Sequence, residues 1–366
     1  MNYKYWFNQN RQTLAKAGHA PEEAAAELKL LLEYLANMPY SRFLVNGEDE
    51  INEDDLKKLD AAMEELMLGT PVDHIIGKRW FMGLEFEVDE NTLIPRQETE
   101  LLVEKAYDGI KADISESSRV PSTVQAAFDG ETAAYRILDL CTGSGCIIVS
   151  LAKLIEEKLK YLWRDLSEKD SDNNISGLKI EYFASDISEK ALKKASENAK
   201  KHDVRVKFIL SDMFKEIDCF STDNRVDELG IDNPVDNKAN GYFDMIISNP
   251  PYISKAEMEK LDKKVSEHDP YAALYGGEDG LDFYRIIAKE AKSFLKPGGR
   301  LLMEIGYGQG ESIKKLLEAE GYIDIEVLKD YSNLDRVIVC RVINNIERCR
   351  VLARRMRGKI LTGERQ

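Results

Sequence analysis

The chain is poor in the residues that build disulfide frameworks and metal centres. Its five cysteines, Cys141, Cys146, Cys219, Cys340 and Cys349, are odd in number and scattered, and no two form a CxxC pair. That argues against a disulfide framework or a zinc site and points to reduced thiols in a cytoplasmic protein. The four histidines, His19, His74, His202 and His268, lie far apart in sequence, so no metal is expected. No apolar run is long enough to cross a membrane, and the start, MNYKYWFNQN, lacks the apolar stretch of a signal peptide. Basic residues are outnumbered, 51 against 66 acidic, for a formal net charge of −15. Such a charge disfavours bare duplex nucleic acid as the main partner, because phosphate contacts supply most non-specific affinity. What is present is ordinary: 366 residues, room for two domains, and a hydrophobic fraction of 43%, usual for a globular protein.

The first seventy residues read as helices. Between Pro21 and Met38, Ala24, Leu28, Leu31, Leu32 and Leu35 share one face, with Pro21 at the helix start. A second apolar face runs through Leu56, Leu59, Met63 and Leu66, with Asn52 as the expected cap and Gly69 as the expected stop. Phe81, Leu84, Phe86 and Val88 then alternate around Gly83, which predicts a hairpin, and a helix follows from about Glu98. From Tyr135 onward strands and helices alternate. Strands are expected over 136–140, 179–186, 204–212, 242–249 and 298–306, and a last pair over 322–330 and 335–343. The link within that pair is short, which predicts antiparallel pairing. Seven such strands with helices on both faces make an α/β, doubly wound, Rossmann-like domain. Residues 113–134, 163–177 and 216–240 read as inserted loops, and the third holds seven acids and two bases. Residues 346–366 reverse that sign, with seven basic and two acidic residues, and suit a solvated tail, a basic arm or a surface helix.

The stretch ILDLCTGSGCI, residues 137–147, is a strand, a glycine turn and a helix start. Gly143 and Gly145 let the backbone turn sharply and approach a ligand, and the helix N-terminus offers free N–H groups. A dinucleotide site would want a third glycine, and Ile148 stands there instead. Acids gather where phosphates would sit: Asp139, Asp186 and Asp212 close three successive strands, followed by Met213, which could flank a purine. S-adenosylmethionine has no phosphate, is cationic at sulfur and carries an amine, so it suits this set. Asp139 could accept from its amine and Asp186 from its ribose hydroxyls. The plainer alternative is that each acid merely caps the helix after it.

FDMIISNPPYI, residues 243–253, raises a different question, because an apolar central strand ends in two prolines. Neither proline can donate to the ladder, so the strand stops near Asn249 on a stiff tip. A strand-ending turn with a packing tyrosine would look the same. If a methyl donor lies over the first three strands, however, Asn249 faces its methyl group. The Asn249 side-chain oxygen and the Pro250 carbonyl could then each accept one N–H of a planar NH₂ group. That would hold the nitrogen in line and stabilise the positive charge that develops on it. Pro251 fixes the spacing, and the Tyr252 ring could lie on the planar group.

LIPRQETELLVE (93–104), LDLCTGSGCIIVSLA, SDMF (211–214), SNPPYI and DPYAALYGGEDGLDFYRIIAKEAKSFLKPGGRLLMEIGYGQG (269–310) together resemble the HemK/PrmC family of release-factor glutamine N5-methyltransferases. The resemblance covers about residues 1–343. It implies methyl transfer from S-adenosylmethionine to the glutamine of the Gly-Gly-Gln motif in bacterial class 1 peptide-chain release factors. It implies that Cys141, Thr142, Gly143, Ser144 and Gly145 contact the donor, that Asp186 binds its ribose and that Met213 flanks its adenine. Asn249, Pro250, Pro251 and Tyr252 would hold the glutamine, and Arg96, Glu98 and Thr99 would line the site. The organisation implied is a helical substrate-binding domain over 1–73, a hairpin linker over 74–97, a methyltransferase domain over 98–345 and a basic tail over 346–366. No direct nucleic-acid or membrane partner is expected. Gln97 stands where the family usually has proline, and Cys141 where it often has glycine. Asn-Pro-Pro-Tyr is shared with N6-adenine nucleic-acid methyltransferases, which use it on a flipped base. That activity and a non-catalytic interaction protein on the same fold are the rival readings.

Overall fold

The computed structural model describes residues 1–117, 134–167, 179–217, 241–261 and 268–343. The tail and most of the three expected insertions lie outside these residues. The chain divides into two compact units. One comprises Met1–Trp80, Glu85–Ile94 and Lys260–Tyr271; the other comprises Phe81–Leu84, Pro95–Glu259 and Ala272–Gln366.

The first unit is built on α1 (Tyr3–Lys16), α2 (Pro21–Ala36), α3 (Tyr40–Asn46), α4 (Glu53–Met67) and α5 (Val72–Ile76). The local signals act as the sequence predicts. Pro21 occupies the first turn of α2, Asn52 caps α4 by accepting from the Asp55 N–H, and Gly69 follows α4 with a positive φ of 97°. Trp6, Leu14, Leu28, Leu31, Leu32, Leu59 and Leu66 form its core. Burying each such side chain removes enough apolar surface to contribute about 1.5–3 kcal/mol. Strands β1 (Lys78–Phe81) and β2 (Leu84–Glu87) form the hairpin, turning through Met82 and Gly83, both at positive φ.

The second unit holds the seven-stranded sheet: β3 (Ala134–Leu140), β4 (Lys179–Asp186), β5 (Val206–Leu210), β6 (Phe243–Ser248), β7 (Leu295–Glu304), β8 (Ile323–Lys329) and β9 (Asp335–Arg341). Their order is β5-β4-β3-β6-β7-β9-β8. The pairs from β5 to β7 are parallel, and β9 runs antiparallel to both β7 and β8. The longer helices are α6 (Glu100–Ser117), α7 (Cys146–Ser167), α8 (Glu189–Lys201), α9 (Asp282–Phe294) and α10 (Gly310–Ala319). The strands step outward from β3 to β5 and return at β6. The switch point therefore lies between β3 and β6, where open sheets of this kind bind ligands. Phe183, Phe243, Ile246 and Leu301 of the strands are fully buried in one core with Tyr284 of α9.

Two of the expected insertions begin later than the sequence suggests. Residues 113–117 continue α6, and residues 163–167 continue α7. Asp113 owes its helical place to a distant partner: both its carboxylate oxygens accept from Arg300 in β7, and it also accepts from the Tyr135 hydroxyl at 2.8 Å. Among the described residues, no helix is long and apolar enough to cross a membrane.

Candidate functional site

The carboxyl edge of β3, β4, β6 and β7 gathers nearly all the predicted residues. The turn after β3 is tight at Cys141, Gly143 and Gly145, whose φ values are 62°, 55° and 79°. The two glycines serve different purposes. A Cβ on Gly145 would meet the Ala195 Cβ of α8 at 3.0 Å, so this glycine lets a helix pack against the turn. A Cβ on Gly143 would meet nothing within 4 Å, so this backbone faces open space. The turn is pinned by its neighbours: the Asn198 amide donates to the Ser144 carbonyl at 2.9 Å, and Thr142 N–H donates to the Ser185 carbonyl at 3.0 Å.

The three acids part company here. Asp186 ends β4; one oxygen accepts from Gly143 N–H and the other from Ser188 N–H, both at 2.9 Å. Burial raises its pKa. Asp139 lies beneath the turn with no exposed surface, and its Oδ2 accepts from the Thr142 hydroxyl at 2.6 Å. Its Oδ1 has no partner, and burial pushes its carboxyl up to about 7. The acid expected to accept from a ligand amine is thus a fully buried carboxylate, bonded to the turn through Thr142. Asp212 sits beyond the end of β5, partly exposed and paired with Lys215. Met213 follows at φ 55°, buried, with its sulfur 3.9 Å from the Cys141 sulfur. Burial pushes the thiols of Cys141 and Cys146 upward, the latter to about 12, so neither is poised as a thiolate nucleophile.

On the other side of the switch point, β6 stops at Ser248, whose hydroxyl donates to the Leu140 carbonyl at 2.7 Å and ties the tip to β3. Asn249 is half-buried, Pro250 and Pro251 are buried, and Tyr252 is half-buried. Asn249 Nδ2 donates to the Thr99 hydroxyl at 3.4 Å. The tip is braced from behind. A Cβ on Gly276 would lie 2.7 Å from the Tyr252 Cα, and one on Gly280 would lie 2.4 Å from the Tyr252 carbonyl oxygen. Gln309 Nε2 donates to that carbonyl at 3.0 Å while its Oε1 accepts from Gly306 N–H at 2.9 Å. Gly276 and Gly280 of GGEDG thus have a physical reason, since side chains there would displace the backbone at Tyr252, and Gln309 of GYGQG holds that backbone in place.

Of the Arg96, Glu98 and Thr99 group, Thr99 is buried against Asn249, Arg96 is half-buried and near enough to Tyr252 to act on its hydroxyl, and Glu98 is exposed. Glu304, at the end of β7, was not singled out from the sequence. It is 1% exposed, and its Oε1 lies 3.4 Å from the Tyr252 hydroxyl, which donates to it. The sequence carries a weak signal for it, an acid closing the otherwise apolar run LLMEIG. In the helical unit, spacing between histidines missed two groupings. His74 lies close enough to His268 and Asp269 to feel both, and ligand-type atoms of His19, Glu23 and Glu27 fall within 4.8 Å of one another.

A seven-stranded sheet with a glycine turn, an acid-lined first half and a braced tip at the switch point defines a Rossmann-like methyltransferase domain. The profile of the PrmC N-terminal domain matches residues 6–77, and that of a methyltransferase domain matches residues 131–329. The chain is 31% identical over 313 residues to the release factor glutamine methyltransferase of Clostridium acetobutylicum, covering 85% of this chain and 89% of that one. It is 33% identical over 350 residues to the bifunctional methyltransferase of Rickettsia felis, covering 93% of this chain and 58% of that protein. It therefore spans little more than half the length of the bifunctional relatives it matches. A crystal structure of a protein-(glutamine-N5) methyltransferase (release factor-specific) from Alicyclobacillus acidocaldarius aligns with TM-score 0.32 and 22% identity, over 70% of this chain and 99% of that one. The chain belongs to the HemK/PrmC family of methyltransferases.

Proposed function

We propose that the chain transfers a methyl group from S-adenosylmethionine to the side-chain amide nitrogen, N5, of the glutamine in the Gly-Gly-Gln motif of class 1 peptide-chain release factors. The observation that carries this reading is the braced Asn249–Tyr252 tip, set across the switch point from the open backbone of Gly143 in a member of this family. The donor, when bound, supplies a methyl group on a cationic sulfur. The residues of the first half fit it: Gly143 leaves room for close approach, Asp186 can accept ribose hydroxyls on its remaining lone pairs, and Met213 offers a thioether to a purine face. Cys141, Thr142, Ser144, Gly145 and Asp212 line or support that half. Asp139 holds the turn through Thr142.

An amide nitrogen is a poor nucleophile, because its lone pair is delocalised. Asn249 Oδ1 and the Pro250 carbonyl accept its two N–H groups, aim the lone pair at the methyl and stabilise the charge that develops. Pro251 fixes the spacing, and Tyr252 covers the planar group. The proton leaves to solvent after transfer. The helical N-terminal residues grip the folded release factor, with the hairpin joining them to the methyltransferase domain.

The test is incubation with methyl-labelled S-adenosylmethionine and a class 1 release factor, the same factor with its Gly-Gly-Gln glutamine changed to alanine, DNA and RNA. Label on the unmodified factor alone is expected; label on nucleic acid would replace this reading with adenine N6 transfer. Asn249→Ala is expected to lower transfer by more than about a hundredfold with donor affinity intact. Near wild-type turnover in that variant would rule out Asn249 as the group that holds the glutamine amide.

A further inference from the structure

The carboxylate of Glu304 has no place in the scheme above, yet it lies behind both polar groups of the acceptor tip. It is buried, one oxygen receives the Tyr252 hydroxyl, and the other has no partner. The Thr99 hydroxyl lies near enough to act on the carboxyl, and Thr99 in turn receives the Asn249 amide at 3.4 Å. A hydroxyl has one proton to donate, whereas an ionised carboxylate can only accept. With its proton turned to Glu304, Thr99 can offer Asn249 nothing but lone pairs. Asn249 must then turn its NH₂ group toward Thr99 and leave Oδ1 facing the open side.

We propose that Glu304 is a positioning residue that sets the orientation of the Asn249 carboxamide through Thr99 and anchors Tyr252 through its hydroxyl. The inference rests on the function proposed above and names what prepares its acceptor. If the carboxyl is protonated, or replaced by a neutral amide, Thr99 is free to donate to Asn249 Oδ1. The carboxamide then presents an N–H to an incoming N–H, and the two repel. Burial raises the Glu304 carboxyl to about 7, opposed by the Thr99 hydroxyl, the Arg336 guanidinium of β9 and the Tyr252 hydroxyl, and reinforced by Glu98. Tyr284 of α9 donates to the Glu304 carbonyl, not to its side chain. The productive orientation belongs to the ionised form, so turnover should rise with pH through about 7.

The experiment compares Glu304→Gln, Thr99→Val and Thr99→Ser in the full chain. Three quantities are read: kcat on the release factor across pH, S-adenosylmethionine affinity by calorimetry, and the Asn249 carboxamide resonances in protein labelled with ¹⁵N-asparagine, assigned by their loss in Asn249→Ala. Expected are a kcat loss of about tenfold or more in Glu304→Gln and Thr99→Val, with donor Kd within about twofold, recovery of most of the loss in Thr99→Ser, and a flattened pH profile in Glu304→Gln. The Asn249 resonances should shift in Glu304→Gln and Thr99→Val and titrate in the wild type. Unmoved resonances, or a kcat within about twofold of wild type in both variants, would overturn the proposal. If the wild type transfers nothing to the release factor while the resonances move as expected, the substrate reading fails and the positioning role stands.

Discussion

Asp139 and Glu304 are near twins on opposite sides of the switch point. Each is a carboxylate with almost no exposed surface, each has one oxygen without a partner, and burial pushes each up to about 7. Their hydroxyl partners distinguish them. Asp139 is met by Thr142 at 2.6 Å, three residues along the same turn. Glu304 is met by Tyr252 at 3.4 Å, from 52 residues away. The first bond is short and local and fastens the turn after β3. The second belongs, in the proposal above, to a longer chain of groups that ends at Asn249. Equal burial thus accompanies a local bond in one place and a long-range one in the other.

The comparison breaks most sharply at the glycines. Gly276→Ala should lower transfer by about a hundredfold or more while donor Kd holds, because its methyl would strike backbone at Tyr252. Gly143→Ala should do the reverse, weakening donor binding by about tenfold or more, because its methyl occupies the space a ligand needs at a φ that L-residues resist. Equal effects of both changes on both constants would erase the distinction between the halves. A smaller effect separates the acids from the rest of the molecule. Their folded pKa values lie above the ordinary 3.8 and 4.5, so the folded state holds extra protons from about pH 4 to 7. This contribution to stability is complete below the ordinary values and is lost as pH rises through about 7. Asp139→Asn and Glu304→Gln, which cannot ionise, should each gain stability relative to the wild type between pH 5 and pH 8. Each unit of raised pKa corresponds to about 1.4 kcal/mol, and denaturant melts at the two pH values measure it. The smallest change is Cys141→Gly. Relief of a left-handed conformation should raise stability by up to about 1 kcal/mol, visible in the same melts, with kcat little altered.

Periodicity and punctuation carried most of the fold. Asn52, Pro21 and Gly69 act within three or four residues of the helix they start or stop, so their effect is local and legible. The strand end at Ser248 was legible for the same reason, since two prolines cannot continue a ladder. Partnerships across long separations were not. Asp113 looks like the start of a polar loop until Arg300, 187 residues later, explains why it stays helical. Asp139 looks like an open strand end, and only its packing reveals that it is fully buried and bonded to Thr142. Glu304 looks like one more strand residue. Its meaning depends on Thr99 and Tyr252, which no spacing in the chain connects to it.

The clamp at Tyr252 bears on how such a motif can be moved. Gln309 binds the Tyr252 and Gly280 carbonyls with one amide and the Gly306 N–H with the other end, so three separate segments share one side chain. Grafting Asn-Pro-Pro-Tyr onto the end of another strand would copy four letters and none of that scaffolding. A working transplant has to bring the two glycines behind the tyrosine and the glutamine that laces them together. The unit of inheritance here is a knot of three loops, and only its most visible strand spells a motif.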